Sequence, residues 1–362
     1  MKKSIKNLIR FICFILVICI LTTAASFCLK VADRKDIMHI GGFFLEPENS
    51  LDVALIGASE LYTGFCSPLA WNHSGFTSYS LCYAGMLATH YKPAVQEVMA
   101  HQNPKLYVIE INGFTCDDKY QNDLTKAHTF LDSVPNDKLR KQLIKDTVPQ
   151  ESQAEFHFPI IKYHENWKYI RSFLVCLRNR IYMALFGQTM TKAYANKKNV
   201  LKSDKLKKYT PKPGKIADES LTDLLEFFKD NNVENVLFVR FPHCVDNKNP
   251  EVYENIKNKV LSYGYDYKDF ESERQNLNLI PTKDFYHYGH LNVFGQEKFT
   301  PVFADYIVSN YDVKSEHSEE ITESWNKSWE VTQKVLKATE TEEPVEKDIK
   351  FYYEINGYFM NK

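Results

Sequence analysis

The sequence has almost no net charge. Its 45 lysines and arginines stand against 46 aspartates and glutamates, a formal charge of −1, so no global field recruits nucleic acid or steers an anionic substrate. It has eight cysteines but no Cys-x-x-Cys spacing. Three of them, Cys13, Cys19 and Cys28, lie in an apolar N-terminal run, which leaves an odd five at Cys66, Cys82, Cys116, Cys176 and Cys244. A chain this long needs no disulfide framework, and these residues read as buried small hydrophobes. There is no internal repeat and no phosphate-binding glycine loop, so neither a nucleotide nor any other cofactor is expected. Wholesale disorder is also excluded: 44% of the 362 residues are hydrophobic and 14% aromatic, enough for a sizeable core.

What is present begins at the N-terminus. "MKKSIKNLIR" carries Lys2, Lys3, Lys6 and Arg10, and an apolar run follows from Phe11 to Leu29. At ~1.5 Å per residue this run reaches across a ~30 Å hydrocarbon core with little to spare. It is longer than a usual signal-peptide core and lacks an A-x-A cleavage site, and Phe27 before Cys28 argues against a lipoprotein box. The basic flank keeps the N-terminus cytoplasmic, although Lys30, Arg34 and Lys35 weaken the asymmetry. The expectation is a single-pass signal anchor over residues 1–32 with everything after it extracytoplasmic. A removable signal peptide is the alternative, and it would change location but not chemistry.

Strand and helix signals then alternate. Asp52 to Gly57 reads as a buried strand closed by a Gly-Ala-Ser turn, Thr77 to Leu81 as a second, and Lys105 to Asn112 as a third. "HYKPAVQEVMAHQ" between the last two has helical spacing, as does Leu124 to Ile144. "ESLTDLLEFFKDNN", "VENVLFVRF" and "PEVYENIKNKVLSYG" continue the pattern as helix, strand and helix. Short βα units in this order imply an α/β fold with a parallel sheet and helices on both faces. One domain is expected over 33–312, with residues 117–215 as an insertion or lid. The stretch Lys192 to Lys215, with nine lysines, reads as an exposed loop. Residues 313–362 read as an acidic appendage in which Trp325 and Trp329 dock one helix and "FYYEINGYF" could add an edge strand or pack a loop.

Several residues have the chemistry of an acyl-transfer site. Ser59 follows a buried strand and a glycine turn, where open α/β sheets place their ligands; the alternative is a helix N-cap. A serine hydroxyl needs a base within hydrogen-bond reach, and "DFYHYGHLNVFGQEKFT" supplies Asp284, His287 and His290. His290, just before the last helix of the sheet, can return to the end of the first strand, or it can merely cap the helix starting near Asn292. The D-x-x-H-x-x-H spacing does not favour zinc, because it is not the i, i+4 pattern and lacks a third ligand. Arg240 and His243 in "FVRFPHC" stand where they could bind an anionic substrate group such as phosphate or uronate, or Arg240 could pair with a neighbouring acid. The 192–215 lysines could meet anionic wall polymer or lipid headgroups. Tyr163, Trp167 and Tyr169 could stack on sugars or pack into the core.

The motifs "VALIGASELYTGF", "YAGMLATHY", "PKLYVIEIN" and "DFYHYGHLNVFGQEKFT", in that order, resemble the SGNH/GDSL-like proteins of bacterial cell envelopes over roughly residues 50 to 310. "GASEL" is similar to the nucleophile motif of the D-alanine transfer proteins of teichoic acid modification, and the chain also resembles the SGNH domains of polysaccharide O-acetyltransferases. The resemblance implies a three-layer SGNH-like (flavodoxin-like) fold behind one transmembrane helix. Ser59 then matches the nucleophile, His290 the catalytic histidine, and Gly85 and Asn112 the oxyanion-hole positions, although "EINGF" departs from the family's GxND. The family places an aspartate three residues before its histidine; here that position is His287. Asp284 would then orient His290, or His287 would itself serve as the base.

The expected function is serine-dependent transfer or hydrolysis of an acyl, acetyl or D-alanyl ester on a cell-surface glycopolymer, at the cell membrane. A membrane-bound O-acyltransferase is the partner the resemblance implies. The alternative is a catalytically lapsed scaffold or glycan-binding partner.

Overall fold

In the computed structural model, the described residues are 2–29, 34–135, 137–169, 174, 181, 190–342 and 350. The four expected runs form parallel strands, β1 (Val53–Gly57), β2 (Ser78–Cys82), β3 (Leu106–Glu110) and then Val236–Arg240, and a fifth, polar strand that the sequence did not announce, Asp266–Asp269, joins them. They lie in the order 2-1-3-4-5 when counted along the chain. The register is direct: Val53 pairs with Ser78 on one side and with Leu106 on the other, and Tyr107 pairs with Val236.

Alternate side chains enter opposite layers, as the two-residue period of a strand requires. Ala54, Ile56, Ile109 and Phe238 join one core with the helices Tyr91–His101, Lys215–Asp230 and Glu251–Ser262. Val53, Leu55, Val108 and Val239 join the other, which holds Phe299 and Phe303 of the helix Val293–Asn310. The fold is therefore α/β with helices on both faces. Most of the strand and helix expectations above are met within one or two residues at each end, but the helix expected from Glu219 starts four residues earlier at Lys215, the strand expected from Val233 starts three residues later at Val236, and the stretch Leu124 to Ile144 resolves into two helices, Leu124–Leu131 and Lys138–Thr147.

An N-terminal helix, α1 (Lys2–Leu29), precedes this body. Its segment Ser4–Ser26 is long and apolar enough to cross a membrane. The 192–215 stretch differs from the expected exposed loop. Lys192 is completely buried and places Nζ 2.7 Å from both carboxylate oxygens of Glu46. Ala193, Tyr194, Ala195 and Asn196 are buried with it, and exposed lysines appear only further on. Asn196 explains the burial: its amide donates to the Thr63 carbonyl and to Gln296 Oε1, threading the segment between two helices. The helix Glu319–Thr341 packs on Ser67–Ser74, with Trp325 buried 5.8 Å from Trp71 and Trp329 half-buried against a separate cluster that includes Cys66, Tyr194 and Val335. "FYYEINGYF" lies outside the described residues.

Candidate active site

The strand order reverses at β1, so the chain leaves its carboxyl end toward β2 on one side and returns to β3 on the other. Such a switch point opens a crevice at the strand ends. Gly57 ends β1 there, and it must be glycine: a Cβ would lie 2.6 Å from Glu110 Cβ of β3. Ser59 follows as the first residue of a short helix (Ser59–Gly64). The helix cap is Ala58, not Ser59, and no side chain caps it. The serine hydroxyl is therefore free of capping duty, and it meets His290 Nε2 at 2.8 Å across 231 residues of sequence.

His290 is brought there by a small antiparallel hairpin, Phe285–His287 with His290–Leu291. Asn292, not His290, caps the following helix by accepting from the Gly295 amide. The Tyr286 ring stacks on His290 with centroids 5.4 Å apart and 12° between planes. His287 sits with its ring centroid 5.2 Å from that of His290, while its Nδ1 accepts from the Gly289 amide at 3.3 Å. Partial burial and the nearby Lys207 charge hold His287 below the usual histidine range. Asp284 is buried, and its carboxylate is taken up by Lys298 Nζ at 2.8 Å and the Ile280 amide at 2.7 Å.

A different carboxylate stands beside the pair. Glu60 Oε2 lies 3.4 Å from Ser59 Oγ, and Glu60 Oε1 accepts from Asn112 Nδ2 at 2.7 Å. His243 Nε2 approaches the same oxygen to 3.7 Å, a charge contact too long for a hydrogen bond. Burial by itself would raise the Glu60 pKa, but contact with His243 and the charge of His290 bring it below the usual carboxylate range. Glu110, completely buried one strand over, goes the other way. Desolvation and the Glu60 charge raise it well above that range, against the pull of its two backbone donors, Ala58 N at 3.2 Å and Asn112 N at 2.7 Å. Burial and neighbouring charge thus push the two carboxylates in opposite directions, Glu60 toward the charged form beside the serine and Glu110 toward the neutral form behind the turn that carries it.

The remaining sequence candidates divide. Asn112 joins the cluster through Glu60, with both its backbone and side-chain N–H groups committed to glutamates. Gly85 follows β2 at the same sheet edge with φ of +69°, and a Cβ there would strike the Tyr120 hydroxyl. His243 belongs to the cluster. Arg240 is nearly buried, pairs with Asp269 at 3.3 Å and lies 3.7 Å over the Tyr253 ring, so it serves the packing of the strand end. Tyr163 is buried with its hydroxyl on Asp132, whereas Trp167 and Tyr169 are exposed. Sequence reasoning missed Glu60 and Glu110. The available signals were an acid directly after the serine in "GASEL" and an acid ending a buried strand in "VIEIN".

No family model matches the chain, and comparison with curated proteins returned no match.

Proposed function

We propose that the protein is a serine-dependent acyltransferase or esterase of the SGNH-like type, anchored in the cell membrane by α1 and acting outside it on acyl esters of a surface glycopolymer. The observation that carries the reading is the 2.8 Å contact between Ser59 Oγ and His290 Nε2 at the switch point of the sheet. Ser59 Oγ attacks the ester or thioester carbonyl and its proton passes to His290 Nε2. The tetrahedral intermediate collapses to an acyl-Ser59 ester as that proton moves to the departing oxygen or sulfur. A water or a sugar hydroxyl, deprotonated by His290, then attacks the acyl-enzyme, and the proton passes from His290 to Ser59 Oγ as the serine leaves.

Glu60 is the carboxylate we assign to the electrostatic part of this scheme. With its pKa drawn below the usual carboxylate range, it favours the imidazolium that His290 becomes in each transition state, as the aspartate of a serine triad does without taking the proton itself. Gly85 and Asn112 remain the candidates for the oxyanion. Asn112 would have to turn its amide from Glu60 toward the developing charge, a motion open to a side chain at the surface of the crevice.

The experiment is hydrolysis of an activated acetyl ester by the full chain in detergent, with Ser59→Ala and His290→Ala beside it. Loss of turnover in both variants is expected. A second reading, the lapsed glycan-binding scaffold, draws on His287 standing where the resembled family has aspartate. It would be preferred if Ser59→Ala matched the parent in turnover while both retained glycan binding.

A further inference from the structure

Between residues 156 and 169 the fold uses some large side chains and leaves others out. Phe156 is buried and stacks on His128 with ring centroids 3.7 Å apart, and Tyr163 donates to Asp132 at 2.7 Å. Phe158, Ile161, Trp167 and Tyr169 are instead 61%, 50%, 65% and 67% exposed. Four such groups in twelve residues are more apolar and aromatic surface than a protein usually leaves to water in one place.

Their position indicates what covers them. The short helix Ile160–Tyr163 and the turn His164–Lys168 pack against α1. Asn166 Nδ2 donates to the Leu29 carbonyl at 3.0 Å. Leu29 stands just beyond Ser26, where the membrane-compatible segment ends, which at ~1.5 Å per residue puts Asn166 at the level where hydrocarbon gives way to headgroups. Tryptophan and tyrosine favour that level, because one end of each ring system is apolar and the other is polar. Exposed Lys162 adds a charge that can reach lipid phosphates, while Lys168 pairs with Glu165 at 2.8 Å.

We infer that residues 158–169 form a second membrane contact, with Phe158 and Ile161 in the acyl boundary of the outer leaflet and Trp167 and Tyr169 among its headgroups. The occupant of this surface is the lipid bilayer itself. The inference rests on the anchored reading of α1. It gives the extracytoplasmic body two attachment points, so that the body is held at a set angle to the membrane and does not swivel on one helix.

The test places the full chain and Trp167→Phe in nanodiscs of phosphatidylcholine brominated either near the carbonyl or near the methyl end of the acyl chain. Trp71, Trp325 and Trp329 belong to the packed body, so the difference in emission between the two proteins reports Trp167. That difference is expected to lose about half its intensity in the carbonyl-proximal bromolipid, less in the methyl-proximal one, and little to aqueous iodide. A chain that stays in the discs through an alkaline wash while Trp167 is quenched by iodide and not by bromine would overturn the inference, leaving these side chains for a protein partner. A chain that the wash releases would overturn the anchored reading and the inference together.

Discussion

Replacing Glu60 with glutamine removes its charge and little else. The amide oxygen can still accept from Asn112 Nδ2, which now sits 2.7 Å from Glu60 Oε1. Ser59 Oγ is 2.8 Å from His290 Nε2 and 3.4 Å from Glu60 Oε2, so the carboxylate oxygen and the imidazole nitrogen are no more than about 6 Å apart. Two unit charges at that separation interact by about 3 kcal/mol at an effective dielectric constant near 20. His290 is partly open to solvent, and screening lowers the figure to about 1–3 kcal/mol. Glu60→Gln should therefore reduce kcat/KM for an activated acetyl ester by roughly ten- to a hundredfold. It should also move the acid limb of the pH profile downward, because the charge that favours protonated His290 is gone. A merely structural role would change the melting temperature without moving that limb. Turnover within twofold of the parent, with the limb unmoved and the fold intact, would refute the assignment of Glu60.

Other positions give sharper tests of neighbouring claims. His287→Asp puts a carboxylate opposite His290 in the hairpin, and turnover is expected to rise; no gain would mean that orientation of His290 is not what limits the rate. Burial takes His90 from the ordinary value down to about 3, where it pairs with the Tyr83 hydroxyl at 2.7 Å. A depressed histidine contributes stability above its unfolded pKa of ~6.5 that is lost as pH falls toward 3, at most about 5 kcal/mol over the window. His90→Phe should flatten urea stability between pH 4 and 7, and an unchanged slope would discount His90. Lys192→Met leaves Glu46 buried with no counter-charge and should cost about 3–5 kcal/mol in urea unfolding. Adding Glu46→Leu should recover much of that loss, and a double variant no better than the single would argue against the ion pair as its source.

Much of the fold was legible because it is local. Four runs of strand length and the amphipathic helices between them announce a parallel sheet by their own periodicity, and Gly57 and Ser59 stand out as the end of one run; the fifth strand, Asp266–Asp269, is polar and carried no such signal. The carboxylate of the site was not legible in the same way. Spacing singled out Asp284, three residues before His287 and six before His290, because sequence distance was the only measure to hand. Folding ties Asp284 to Lys298 and brings forward Glu60, which sequence places 230 residues from His290. Lys192 was misread for a related reason: a run of lysines looks solvated until a distant glutamate is folded against one of them.

The sequence alone determined the α/β class and the membrane-length apolar helix at the N-terminus, which rest on residue type and short-range period. It also offered Ser59 and His290 as candidates through their match to a resembled family, while their meeting across 231 residues is a tertiary contact. Only the tertiary structure decided that β1 lies between β2 and β3, and that order sets Glu110 behind Gly57 and Asn112 against Glu60. Strand order is a long-range pairing, so the groups it brings within a few ångströms carry no mark of one another along the chain. Ser59 and His290 could be named in advance; the charge that stands beside them could not.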